Sequence, residues 1–372
     1  MLHRLAWPHL FRLILVLAVI GVAVPAASAE REVFSVRNVV VDARAADELA
    51  AKLAGIAGAQ RDALRVLLER IILRDDYDRL PEVAANVLSQ LVRDYSVDDE
   101  KFGGGRYLAR LTVRFKPSGI RALLGAAEIP FAATVSRPIL VLPVFQSAGA
   151  TSLWDEPNPW FAAWSGLALQ DDLLPLTVPV GNLSDVAVIG AEQAVQGNQD
   201  RLAKIAAKYN VRGVLVIAAT LRVNPGDGAL LLAVTSAAYG SERDQPVKSR
   251  NFKAAAGDSR DAMFRDAARS IADEAVESWK RANLLDQDTE LRMRVAIPLR
   301  GLDEWLKIRR RIGDIASVKR VDLARLSIDK AEVEILYIGK PGQLGLAMAQ
   351  SGLTLKFMPD SAMWVLRAVA GQ

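Results

Sequence analysis

No cysteine occurs anywhere in the 372 residues, and the only two histidines are His3 and His9. A chain without thiols cannot be stapled by disulfides or thiolate metal sites, so its shape must come from buried apolar surface. Hydrophobic residues make up 51% of it, and low-complexity segments are scarce, which argues against disorder. Beyond His9 the same absence removes the commonest general base, the thiol nucleophile and the usual ligands of zinc, copper and haem. The first question is therefore whether the chain is an enzyme at all. The expectation is a non-catalytic protein with no cofactor and no metal.

Met1 to Ala29 has the three parts of a secretory signal. Arg4 and Arg12 supply a basic start, Leu13 to Val24 is an uncharged apolar run, and Ala27-Ser28-Ala29 fits the small-x-small cleavage rule. The run rises about 18 Å as a helix, short of a hydrocarbon core of roughly 30 Å. Cleavage after Ala29 is expected, leaving a soluble periplasmic protein with no transmembrane span. Arg4 and Arg12 are not adjacent, which disfavours a twin-arginine route, and without cysteine there is no lipoprotein attachment site. Loss of the two arginines lowers the formal charge from +4 to +2. That is too near neutral to read the basic pI as nucleic-acid binding.

The remainder reads as three small sheet-plus-helix modules, a mixture of α+β and α/β, with boundaries at 30–133, 134–285 and 286–372. In the first, Val33 to Val41 predicts a strand, and Ala46 to Leu73 predicts a helix with Leu49, Leu53, Ile56, Leu64, Leu67 and Ile71 inward. Pro81 marks a second helix start, with Val83, Val87 and Leu91 on one face. Tyr95 to Val97 and Arg106 to Phe115 predict a hairpin, the latter alternating Tyr107, Ala109, Leu111, Val113 and Phe115 against Arg106, Arg110, Thr112 and Arg114. Pro117 opens a helix ending near Leu124.

The second module predicts the order β-α-β-α-β-β-β-α. Ile139 to Leu142 reads as a central strand, Phe161 to Leu169 as a helix, Val186 to Ile189 as a strand and Gln199 to Tyr209 as a helix. Gly213 to Val223, Ala229 to Tyr239 and Val247 to Ala254 follow as strands, and Asp258 caps a helix reaching Ala282 with Phe264, Ala268, Ile271, Ala275 and Trp279 inward. The third module has the β-α-β-β-α-β order of a ferredoxin-like plait, with Met363 to Val369 ending the sheet.

Motifs for chemistry are weak. Ser327-Ile328-Asp329-Lys330 matches S-x-x-K but falls in a turn between strands, where serine and lysine do not stack as on a helix. Asp155 with Glu156, Asp171 with Asp172, and Asp75, Asp76 and Asp78 are carboxylate pairs of the type used on glycans, yet sequence neighbours are not two sides of a cleft. Gly339 to Gly345 precedes a helix in the manner of an anion cradle, but its lysine is misplaced for a Walker loop and it reads as a plain turn. The tryptophans are more pointed. Trp154, Trp160 and Trp164, interleaved with Asp155, Glu156 and Asn158 and stiffened by Pro157 and Pro159, make either a binding platform for a sugar or partner chain, or a lid folded over the core. Lys307, Arg309, Arg310, Arg311, Lys319, Arg320 and Arg325 form a basic stretch suited to acidic partners or anionic lipid, diluted by Asp303, Glu304, Asp314 and Asp322.

Arg137 to Leu142, the loop from Leu174 to Asp185, the helix through Tyr209 into Gly213, and the run Tyr107 to Phe115 with its helix to Leu124 together resemble a proteobacterial domain-of-unknown-function family, number 2066. The likeness covers nearly all of the chain beyond Ala29, and the family supplies no catalytic residues to carry over. More distantly, the second module resembles the amino-terminal domain of the translocation protein TolB and envelope lipoproteins of the curli-secretion type, which implies an α/β interaction module. The expected function is that of a periplasmic binding or assembly-accessory protein with an envelope protein partner and peripheral contact with membrane or peptidoglycan. The alternative is a carboxylate-dependent enzyme or binder acting on cell-wall glycan.

Overall fold

A computed structural model of the protein describes residues 33–167, 169, 171–240, 247–254, 257–286 and 290–369. The expected signal, residues 1–29, lies outside them.

Alternation of apolar and polar residues builds the first sheet. β1 (Ser35–Arg44), β2 (Val92–Gly103) and β3 (Arg106–Phe115) pair antiparallel in the order β1-β3-β2. Tyr107, Ala109, Leu111, Val113 and Phe115 are all buried, as their alternation predicts. α1 (Glu48–Ile71) covers that face, with Asp47 as its N-cap accepting from the Ala50 amide. Its inner face differs from the prediction at the start. Leu49 and Leu53 are 67% and 62% exposed, and Ala51, Gly55, Ala59 and Ala63 are buried instead. The sheet comes so close that a Cβ on Gly55 would sit 2.7 Å from Val41 Cγ1 and 3.1 Å from Tyr107 Cδ1. Small residues win that face because only they permit the approach. α2 (Ala85–Leu91) starts four residues after Pro81 and buries Leu88 and Leu91, leaving Val87 outward. α3 (Pro117–Ala126) closes the layer through Ile120 and Leu124. A two-residue strand, β4 (Phe131–Ala132), follows.

The central layer is a mixed sheet. β5 (Ile139–Ser147) turns at Ala148 and Gly149, both at positive φ, into β6 (Ala150–Ser152). α4 (Pro159–Ser165), shorter than the predicted helix, leads to β7 (Leu176–Thr177), which pairs parallel to β5. The strand predicted at Val186 to Ile189 does not form, and β7 takes its place in the order. Asn182 and Asp185 instead cap each other's backbone and wind α5 (Leu183–Val186). α6 (Ala191–Val195) and α7 (Gln199–Lys208) then lead to β8 (Gly213–Val223), parallel to β5 from Ile139↔Gly213 to Gln146↔Thr220. β9 (Leu230–Tyr239) and β10 (Lys248–Ala254) complete the order β10-β9-β8-β5-β6. α8 (Arg260–Ala282) is capped by Ser259 rather than Asp258. Both faces of β5 are buried. Val141 meets Trp160, Trp164 and Phe264 beneath α4 and α8, and Leu140, Leu142 and Val144 meet Leu202 and Ile205 of α7. That is why its sequence is a continuous apolar run.

β11 (Leu284–Leu285) pairs with β4. The last layer comprises β12 (Glu290–Pro298), α9 (Leu302–Gly313), β13 (Val318–Leu326), β14 (Lys330–Ile338), α10 (Pro341–Gln350), β15 (Leu353–Met358) and β16 (Met363–Ala368). The plait order is present with one correction. β16 does not end the sheet but lies between β12 and β15, parallel to β12. The hairpin turns through Ala362 in the left-handed region. Its second arm buries Leu366 between two neighbours, while the first, at the sheet edge, leaves Phe357 and Met358 exposed. The whole is a mixed α/β fold of small open sheets.

The layers are tied by polar clamps. Lys280 of α8 is buried, and its ammonium donates to the carbonyls of Glu69 (2.8 Å) and Ile72 (2.9 Å) at the end of α1 and to Glu277 Oε1 (2.9 Å). Arg121 donates to the Ala316 carbonyl, and Gln350 to that of Val135. Leu285, Ala316 and Ile338 complete the core of the first layer.

Candidate functional site

The tryptophan loop folds inward. Asn158 caps α4 by accepting from the Phe161 amide (2.9 Å), which turns Trp160 and Trp164 onto the sheet. Both indoles are fully buried, their centroids 5.9 Å apart and edge-on, with Phe264 6.1 Å from Trp160. Trp160 Nε1 donates to the Ile217 carbonyl (3.1 Å), whereas Trp164 Nε1 is buried without a partner among the described residues. Trp154 is half-buried and donates to the Ile189 carbonyl (2.7 Å). Asn158 is buried too, and Asp155, Glu156 and Pro157 face solvent. Trp160 and Trp164 thus present no ring face to a ligand, which is the geometry of a core lid.

The basic stretch divides between two elements. Lys307, Arg309 and Arg310 are exposed on α9, whose inner residues are Trp305, Ile308 and Ile312, and Arg311 is half-buried. Lys319 and Arg320 lie on β13 and pair with Glu290 and Asp322. Of the other candidates, Ser327 Oγ bonds Asp329 and the Lys330 carbonyl, while Lys330 Nζ pairs with Glu332. Asp76 pairs with Arg79, and Asp75 stands 3.9 Å from Arg281. Asp171 and Asp172 line a cavity of only about 30 Å³ beside Arg70. Burial pushes the Asp172 carboxyl up, against the opposing pull of the Leu173 amide, Lys280 and Arg70. A space that size holds about one water molecule and no sugar.

The resemblance-bearing loop has a different organiser. Asp185 is fully buried and accepts from the amides of Gly181 (2.9 Å) and Asn182 (3.2 Å), from Tyr209 Oη (2.8 Å) and from Lys208 Nζ (2.5 Å). Burial pushes its carboxyl up, but Lys208, Tyr209 and the two amides outweigh that and hold it below the usual carboxylate range. The turn so braced displays Leu183 at 88% exposure.

A much larger concavity was not legible as a site in the sequence. β5 and β8 run parallel, and their amino ends are joined by the Arg212 amide donating to the Pro138 carbonyl (2.8 Å). Arg137 and Arg212 therefore both lie at one end of the sheet, where each lines the concavity. From there a cleft of about 970 Å³ opens between the sheet face, α8 and the start of α10. Ile139, Leu176, Leu215 and Val234 form its sheet side, and Ile271, Ala275 and Trp279 its helical side. This floor continues the core of Trp160, Trp164 and Phe264.

The rim is basic. Among the described residues, Arg137, Arg212, Lys248, Arg250 and Lys340 line the cleft with a single carboxylate, Glu274. Glu274 is already paired with Lys248 (3.3 Å) and Arg250 (2.9 Å). Burial pushes it up, and the bonds from Arg250 and Lys248 overcome this and keep it ionised below its usual range. The Arg212 guanidinium stacks 5.3 Å over the Trp279 ring, whose Nε1 donates to the Thr134 carbonyl. Among the described residues the Arg137 guanidinium bonds the neutral Asn210 side chain (3.3 Å). Among the described residues no carboxylate pairs with Arg137, Arg212 or Lys340. Two weak signals pointed here: Trp279 on the inner face of α8, and the Gly339 to Gly345 turn, of which Lys340, Gly342 and Gln343 line the cleft.

No family model matches the chain, and no curated protein matches it. Among solved structures it is similar to the lipoprotein GNA1162 from Neisseria meningitidis, at 11% identity and a TM-score of 0.27, over 37% of this chain and 97% of that one. No functional residue is carried over from it. No helix among the described residues is long and apolar enough to cross a membrane.

Proposed function

We propose that this is an exported, non-catalytic accessory protein of the bacterial envelope, allied to the 2066 family, that works by holding a ligand or partner segment in the central cleft. The observation that carries the proposal is the cleft itself, an apolar floor under a rim where, among the described residues, cations outnumber carboxylates five to one. Its volume falls at the upper end of the roughly 300–1,000 Å³ typical of ligand sites. Hydrolysis of a glycan takes two carboxyl groups, one of them held protonated. Among the described residues the cleft is lined by one carboxylate, Glu274, and two cations keep it charged. The export signal in the sequence supports the compartment.

The test is photo-crosslinking in the native envelope. A crosslinking residue replaces Leu346 on the lip of the cleft or, as a control, Ile328 at the exposed β13–β14 turn. Discrete adducts at Leu346 that vanish when Ala275→Trp fills the cleft, and are absent at Ile328, are expected. Equal labelling at both positions, or none at Leu346, overturns the reading.

A further inference from the structure

The cleft combines two features that select for one kind of occupant. Its floor is apolar, and its remaining polar groups are mostly spoken for. Asn283 Nδ2 donates to the Trp279 carbonyl, Ser136 Oγ to that of Arg137, and Gln343 bonds both the Leu284 carbonyl and the Lys340 amide. An extended peptide brings one donor and one acceptor per residue, each of which must be satisfied when buried. The floor has few groups to meet them, whereas a hydrocarbon chain needs none.

The second feature is uncompensated charge. Arg137 and Arg212 lie at the starts of two hydrogen-bonded strands, and with Lys340 they border the same apolar cleft without a carboxylate of their own among the described residues. Like charges so placed repel, more strongly beside low-dielectric walls than in open water. A bound anion relieves that repulsion. Arg212 is also held in place over Trp279, so little side-chain freedom is lost when it engages one.

We propose that the cleft binds a single long acyl chain ending in an anion, with a free fatty acid as the occupant: the chain lies along Leu215, Val234 and Ile271, and the carboxylate meets Arg137, Arg212 and Lys340. This rests on the cleft being the working site.

Calorimetric titration with laurate tests it, with dodecanol as the same chain without charge and an acidic amphipathic peptide as the competing class. Laurate is expected to bind at least about tenfold more tightly than dodecanol, a difference of about 1.4 kcal/mol. R137E/K340E removes that preference while leaving dodecanol binding unchanged. Both side chains are exposed and lack acidic partners, so the melting temperature should not move. Ala275→Trp abolishes binding of both ligands. Equal affinity for laurate and dodecanol, or binding of the peptide but not laurate, overturns the proposal. If Leu346 crosslinks envelope material that laurate fails to displace, the fatty-acid assignment falls and the cleft stands. If Leu346 is also silent, both fall.

Discussion

Asp185 shows how much one buried carboxylate can organise. Its four hydrogen bonds convert an apolar stretch that reads as a strand into a capped turn. Because its folded pKa lies below the unfolded value of about 3.9, its contribution is complete above that pH and fades as pH falls through the lower, folded value. Asp185→Asn is therefore expected to cost about 2 kcal/mol at neutral pH, the scale of hydrogen bonds to a charged group. Urea melts of both proteins across the acid range should show the gap closing below about pH 4. A gap independent of pH would mean the carboxylate acts through shape alone. Nothing in the sequence marks this residue apart from the other aspartates, because burial is a property of the fold.

At the scale of elements, α1 shows where periodicity succeeds and where it fails. The helix itself was legible, as was the inward set Leu64, Leu67 and Ile71. Its first two turns were not, because the pattern rewards large apolar residues, while close approach to a sheet rewards small ones. Two glycines on this helix should respond oppositely to alanine. Gly58→Ala adds a Cβ into open space and should stabilise by about 1 kcal/mol through helix propensity. Gly55→Ala gains the same propensity, yet it drives a methyl into Val41, Ala43 and Tyr107 and should cost about 1–3 kcal/mol net. Thermal or urea melts of the two variants check this, and a stabilising Gly55→Ala would show that the helix moves freely off the sheet. The strand character of β16 was legible too, but its place inside the sheet is made by parallel pairing with β12, a segment far away in sequence.

In the whole molecule, the layers are joined by side chains reaching across element ends. Lys280 satisfies two carbonyls at the close of α1 and a carboxylate on its own helix. Lys280→Met removes the charge but leaves Glu277 and both carbonyls without their donor, a loss of about 3 kcal/mol by the usual cost of breaking a buried pair. Chemical denaturation followed by tryptophan fluorescence measures it. An unchanged midpoint would show that water replaces the ammonium at no cost. The cleft belongs to this scale too, since its walls come from β5, β8, β9, α8 and α10.

Local pattern by itself determined the mixed α/β class, the wet and dry faces of β3, the buried run of β5 and the plait order of the last layer, because each is set by residues within a turn or two of one another. It also fixed the absence of cysteine, and of histidine beyond His9. Only the tertiary structure decided that Trp160 and Trp164 are core, that Asp185 is buried, and that Arg137, Arg212 and Lys340 share one apolar cleft. Those facts depend on distances between segments far apart in the chain, and the spacing of residues along the backbone carries no record of them.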